Sequence, residues 1–451
     1  MFRKTVVPLA VLTAVAGMAV APATAAAAAP TCGTGPSYPY IVLYAPHTPP
    51  ALVDAELAAK CGSRTGYYPE IGVAVAASAD PGFAGKIGVH RAYSGKKEIT
   101  DAGGPDPAVA RAGVTAQQWD MRAIKAPEAN RIYQGSAAVT VGVLDSGVDA
   151  THPALKNAVD PDASAGCGTG VPDPSAWGPV GDVFHGTHVA GTIAAKDPAN
   201  GFTGIAPGVR IASVRLSDSP QGWVYPEAAV CGLVWAADHH FPVVNASWSV
   251  DPGLFYCADQ PGEAAVFEAV RRAAAYARRN GVLVVAAAGN NGFDLTKQTE
   301  DPIPVPQYPV TPACKSLPQG LPGVVTVSSV GYSGTKAATS NYGAGAVRLT
   351  APGGANGDSP PDGQGVDCPL STALDGGYRA ICGTSMAAPH VAGVAALLAS
   401  RHPHASPARL AALLEAQADP VPCPAGTDCT GTDRDNSYYG RGRVNALRAV
   451  R

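Results

Sequence analysis

The stretch "VTVGVL", residues 139–144, is apolar apart from Thr140 and ends on a carboxylate, Asp145. Four later runs share its character: "VRIASVRL" (209–216), "VVNAS" (243–247), "GVLVVAAA" (281–288) and "GVVTVSSV" (323–330). Helix-like stretches such as residues 263–279 lie between several of them. Continuous apolar runs, rather than alternating ones, suit strands covered on both faces. Their alternation with helices predicts a mainly parallel sheet between helical layers. In such sheets function gathers at the carboxyl ends of the strands, which is where Asp145 falls. A carboxylate buried there is costly unless partnered, so Asp145 either caps the next loop or belongs to a site. Asp149 and His152, further along, read as turn residues.

Upstream the chain changes character. Residues 30–93 hold a strand ("YPYIVLYAP", 38–46), an amphipathic helix ended by Gly62 ("PALVDAELAAKCG", 50–62) and a second strand ("IGVAVAA", 71–77), a small α+β unit. Residues 94–116 are polar and rich in Gly and Pro, as in an exposed linker. Residues 1–29 combine Arg3 and Lys4 with an apolar run over 6–20 and small residues in "APATAAAAAP" (21–30). That is the pattern of a secretory signal peptide, with cleavage expected between positions 25 and 30. The run is short and broken by Pro8 and Gly17, unlike a membrane anchor.

Bulk properties agree with an exported globular protein. The 451 residues allow one large domain, residues 117–451, besides the small one. With 15% charged residues and a net charge of −3, no field gathers nucleic acid or an anionic membrane. In an exported chain the ten cysteines read as disulfides. Cys32 with Cys61, Cys368 with Cys382 and Cys423 with Cys429 are candidate pairs; the other four stay open. No CxxC has zinc-ligand spacing.

Two further segments carry reactive side chains. "HGTHVAGTIAA" (185–195) places His185 at a helix start with His188 three residues on. Such a pair can hold a metal, but no HExxH pattern or third ligand accompanies it, and we assign no metal site. "CGTSMAAPHVAG" (382–393) opens a helix with Gly383, Thr384 and Ser385, and places Pro389 about one turn in. There a proline removes a backbone hydrogen bond. Ser385 at a helix N-terminus sits beside free N–H groups and a favourable dipole. A serine needs a base to react, usually a histidine oriented by a carboxylate. Asp145, His185 and Ser385 supply those parts.

"LDSGVDATHP", "HGTHVAGT", "AAAGNNG" and "GTSMAAPHVAG" together resemble the four blocks of the subtilisin-like serine proteases (subtilase family, peptidase S8), in that family's order Asp…His…Ser. The resemblance covers residues 117–450. It implies a three-layer α/β/α fold with a seven-stranded, mainly parallel sheet, preceded by a small α+β propeptide domain. It also implies peptide-bond hydrolysis by a secreted, extracellular serine endopeptidase, with Asp145 as orienter, His185 as general base and acid, and Ser385 as nucleophile. Asn290 matches the oxyanion-hole asparagine, with the Ser385 N–H as second donor. Ser247, Trp248, Ser249 and Gly289 match the substrate-binding walls, although Trp248 and Ser249 differ from the residues common in the family. The expected partners are protein or peptide substrates of a monomer, with residues 30–93 as its own temporary inhibitor, removed by self-cleavage in the linker. No cofactor is required. Many members hold calcium through an aspartate after "THP"; here that position is Ala154, so a calcium ion would need a weaker site elsewhere. Two other readings are a non-catalytic binding protein of this fold and a related hydrolase with glutamate as base.

Overall fold

Alternation of side chains decides how the first strands face. β1 (Tyr38–Leu43), β2 (Ser63–Tyr68), β3 (Val73–Ser78) and β4 (Ala92–Tyr93) form an antiparallel sheet in the order β2-β3-β1-β4. Tyr40, Val42, Ala74 and Ala76 pack on one face with Val53 and Leu57 of α1 (Pro50–Ala59). Ile41, Leu43, Val73 and Val75 point the other way and join an apolar cluster of the larger domain. The strict period of two in extended chain produces this split. β2, "SRTGYY", has no counterpart in the sequence expectation because its first three residues are exposed at the sheet edge.

The structure is a computed structural model that describes residues 1–2, 31–98, 109–110, 118–301, 309–361 and 365–451. Residues 1–31 and 32–451 are two separate units. Residues 3–29 of the segment read above as a signal peptide, and most of residues 94–116, read as a linker, lie outside the described residues.

In the larger domain the apolar runs become β5 (Thr140–Asp145), β7 (Arg210–Arg215), β8 (Val243–Ala246), β9 (Leu283–Ala287) and β10 (Val325–Val330). β6 (Ala165–Gly166) and β11 (Leu349–Pro352) close the edges, giving an all-parallel sheet in the order β11-β10-β9-β8-β5-β7-β6. Val141 and Val143 face α3 (His185–Ala194), α6 (Thr384–Arg401) and α7 (Pro407–Gln417). Leu144 faces α4 (Pro226–Asp238) and α5 (Glu263–Arg279). The result is the expected three-layer α/β/α arrangement, and α5 has the bounds read from the sequence. α2 (Trp119–Ala123) precedes β5 in the chain. No helix among the described residues is long and apolar enough to cross a membrane.

The three candidate disulfides form, and the open four pair as Cys167–Cys231 and Cys257–Cys314. Before α6 lies a small sheet of β12 (Leu370–Thr372) and β13 (Tyr378–Ala380), to whose edge residues 109–110 add antiparallel, Ala110 opposite Arg379.

Candidate active site

β5 delivers Asp145 to the carboxyl end of the sheet, 4% exposed. His185 is the first residue of α3, and its Nδ1 lies 2.7 Å from Asp145 Oδ1. The same oxygen accepts the Ser146 N–H at 2.7 Å, while Oδ2 is buried without a partner among the described residues. Ser146 Oγ accepts the Gly186 N–H at 3.0 Å and so fixes the start of α3 against the end of β5. A carboxylate only accepts, so the neutral His185 ring carries its proton on Nδ1 and presents a lone pair at Nε2. Burial pulls the His185 ring down, but the charge and hydrogen bond of Asp145 outweigh it, and the net shift is upward.

Ser385 is the second residue of α6. Its Oγ donates to the Ser247 carbonyl at 3.2 Å, and no hydrogen bond joins it to His185. Catalytic hydrogen bonds are often long before substrate binds, and a rotation about one side-chain bond redirects this hydroxyl. Pro389 has no N–H for the Ser385 carbonyl, and the Ser247 hydroxyl takes its place, donating at 2.8 Å. Ser247 Oγ in turn accepts from Asn245 Nδ2 at 2.7 Å. The proline therefore leaves a carbonyl that ties α6 to the end of β8. Gly383 caps the helix at φ +152°, where a side chain is strained, and a Cβ there would lie 3.3 Å from Asn290 Nδ2.

Asn290 is held by its oxygen. Oδ1 accepts from the Thr384 N–H and from Thr384 Oγ1, both at 2.9 Å, and Oγ1 accepts the Gly289 N–H at 3.0 Å. With Oδ1 occupied, the Asn290 NH2 group is left as an exposed donor beside the start of α6, with no acceptor among the described residues. The Ser385 N–H has none either. The sequence reading did not single out Thr384 and Ser146, although each directly adjoins a singled-out residue and carries a hydroxyl, the signal that would have found them.

Other expectations are redistributed. His188 is buried, its Nε2 on the Arg379 carbonyl at 3.0 Å; burial above all, then the charge of His185, drives it down to about 3. It is a neutral packing residue. His152 and Asp149 are turn residues as expected, His152 bonding the Ala154 N–H and the Gly377 carbonyl. The hydroxyls of Ser247 and Ser249 are turned inward, Ser249 accepting from Gln319 Nε2 at 3.0 Å. Trp248 leans on the α4 and α5 cluster. Gly289 has φ +100°, and a Cβ there would collide with Asn341. Ala154 is packed in the core and its carbonyl accepts the Lys196 N–H at 2.8 Å. That position does not fit a calcium ligand.

The sequence model of peptidase S8, described as the Subtilase family, matches residues 136–442. Fervidolysin of Fervidobacterium pennivorans is 32% identical over 323 residues, 67% of this chain and 39% of that protein. Its crystal structure superposes on 93% of this chain and 61% of its own, with a TM-score of 0.65 at 26% identity. Subtilisin NAT of Bacillus subtilis subsp. natto is 32% identical over 330 residues, covering 72% of this chain and 69% of that protein. A solved lanthipeptide protease is 28% identical with a TM-score of 0.60, covering 78% of this chain and 99% of its own. The span matched by the family model contains the end of β5, the start of α3, the Asn290 loop and the first turn of α6, and the chain therefore belongs to the subtilase family of subtilisin-like serine proteases.

Proposed function

We propose that the chain is a secreted serine endopeptidase made as a self-processing precursor, with Asp145, His185, Ser385 and Asn290 as its catalytic residues. The observation that carries this is the Asp145–His185 contact, which leaves His185 Nε2 unprotonated within a layer that also holds α6. In the reaction the Ser385 hydroxyl turns from the Ser247 carbonyl, passes its proton to His185 Nε2 and attacks the peptide carbonyl carbon. The oxygen that gains charge accepts hydrogen bonds from Asn290 Nδ2 and the Ser385 N–H. His185 then gives its proton to the leaving amine, and water repeats the sequence on the acyl-enzyme. No step calls for a metal or cofactor.

The upward shift of His185 sets the pH dependence. Only the neutral ring acts as base, so kcat/KM should rise with pH along one ionisation lying above the ordinary histidine value of about 6.5. A pH profile on a short peptide amide tests this; activity that falls above neutral pH would favour a glutamate base instead. Asn290→Ala should lower kcat by about 10²–10³-fold with little change in KM, because the amide acts on charge that appears only in the transition state. A matching rise in KM at constant kcat would assign Asn290 to binding.

We assign residues 30–93 as the temporary inhibitor, with the linker as the processing region. What supports this is the docking of the small sheet on α4 and α5. Arg272 donates to the Tyr44 and Ile71 carbonyls at 2.7 and 3.0 Å, Tyr68 to the Gly170 carbonyl at 2.7 Å, and the Gly262 N–H to the Val89 carbonyl at 2.5 Å. Residues 109–110 also lie on β13, the strand that leads to α6. Three carboxyls belong to residues at or next to this joint: Glu227 packs with Val75 against Gly170, the Asp251 main chain lies against Gly95, and Glu263 follows Gly262, which bonds Val89. Burial pushes each up to about 7, the charge of Lys96 offsetting only part of it at Glu227. Freed from the small domain, they regain water and should titrate lower, toward the ordinary carboxyl value of about 4. The docked state then holds more protons, so its affinity is full below about pH 4 and falls as pH rises through about 7, by up to tenfold per unit for each group. Gel filtration of the processed complex from pH 5 to 9 should show increasing loss of the small domain; retention that grows with pH would refute this.

A narrower reading, maturation of one peptide precursor, is suggested by similarity to the lanthipeptide protease. Cleavage of a mixed peptide library separates the two: one dominant sequence favours maturation, and broad cleavage favours general degradation.

A further inference from the structure

Asp120 and His390 lie 270 positions apart, and both side chains are 0% exposed. Asp120 is in α2 and His390 in α6, five residues after Ser385. His390 Nε2 is 3.1 Å from Asp120 Oδ2, and His390 Nδ1 is 2.8 Å from the Met386 carbonyl. The donor count here is restrictive. A carbonyl only accepts, so Nδ1 carries a proton. A neutral ring would then set its Nε2 lone pair against a carboxylate lone pair. The observed contact needs one more proton, either as an imidazolium against a carboxylate or as a carboxylic acid against a neutral ring. In both forms the pair is neutral overall, which is how a buried carboxylate is tolerated. Asp120 Oδ1 has no hydrogen-bond partner among the described residues, so His390 is the residue there that compensates Asp120.

The position of the pair gives it a role. Pro389 has already removed one backbone bond from the first turn of α6; the Ser247 hydroxyl holds the Ser385 carbonyl in its place, and the His390 ring adds a bond to the next carbonyl, Met386. Behind His390 stands the segment that carries α2. Its Trp119 Nε1 donates to the Val366 carbonyl at 2.9 Å, and Gln118 makes two bonds with the Thr203 backbone, at 3.0 and 3.3 Å. We propose that Asp120 is a positioning residue for the nucleophile, acting through His390, and that docking of residues 118–123 under α6 is a condition of activity. The inference rests on the assignment of Ser385 as nucleophile. It also bounds maturation: processing must cut before Gln118, since a later cut would take Gln118, Trp119 or Asp120 with the released piece.

Asp120→Leu tests it in the full chain, because leucine fills a similar space but offers His390 Nε2 neither a donor nor an acceptor. Active sites are counted with a fluorophosphonate, and kcat is expressed per titrated site. Misplacing a reacting group by a fraction of an ångström to an ångström costs about 10- to 100-fold. We expect kcat per site to fall at least tenfold with KM within twofold, and phosphonylation of Ser385 to slow in parallel. His390→Gln should do the same, and the double variant should be no slower than the slower single one. A merely structural pair would lower the melting temperature and the titrated fraction but leave kcat per site unchanged, and that result overturns the proposal. If Asp120→Leu does not fold, His390→Gln alone decides by the same criterion. Failure of the parent enzyme to label at Ser385 would instead overturn the reading on which this one rests.

Discussion

Ser385→Ala is expected to lower peptide hydrolysis about a million-fold, the scale of nucleophile removal in subtilisins, and to leave residues 30–93 joined to the rest of the chain. The change deletes one oxygen. Ser385 is only partly buried and its Oγ makes a single hydrogen bond, to the Ser247 carbonyl. The Ser247–Ser385 backbone tie through Ser247 Oγ does not involve that oxygen. The fold should therefore survive, and the loss should be chemical. Hydrolysis is measured on a chromogenic peptide, and processing on a denaturing gel of freshly expressed protein. A variant that still trims its own N-terminal region at the parental rate would place the nucleophile elsewhere.

Asp145→Asn should cost about 10⁴-fold in kcat, as the same change does in a serine protease of another fold. Asparagine fits the space, but its amide nitrogen can present a donor to His185 Nδ1 and so favours the tautomer with the proton on Nε2. That nitrogen can no longer accept from Ser385. The loss should shrink as pH rises, because hydroxide can replace the missing base. The Ser146 N–H also bonds Asp145 Oδ1, so the melting temperature should be followed alongside. A loss of similar size at every pH, matched by a large fall in melting temperature, would mean that Asp145 holds the fold and not the tautomer.

Much of this architecture was legible in the residues, and the reasons for the exceptions are physical. β5, β8, β9 and β10 stand out because their side chains are buried on both faces, and α5 because its apolar stripe repeats at helical spacing. β6 is two residues long and β11 ends on Pro352, so neither carries a strand signal. Asp145, His185, Ser385 and Asn290 could be named because their chemistry is tied to short motifs. Thr384 and Ser146 act only through neighbours, and Asp120 only through a residue 270 positions away. Long-range partners of that kind leave no local pattern. Motif matching likewise locates the strand end at Ser247 and Ser249 but does not say that their hydroxyls turn inward.

The central claim is that the hydroxyl at position 385 is made nucleophilic by the imidazole at 185. Mass spectrometry after treatment with a fluorophosphonate tests it most directly. The account predicts one adduct per chain, on Ser385, at a rate that rises with pH along the His185 ionisation and disappears in His185→Ala. An adduct on another residue, or labelling of Ser385 at an unchanged rate in that variant, would contradict it.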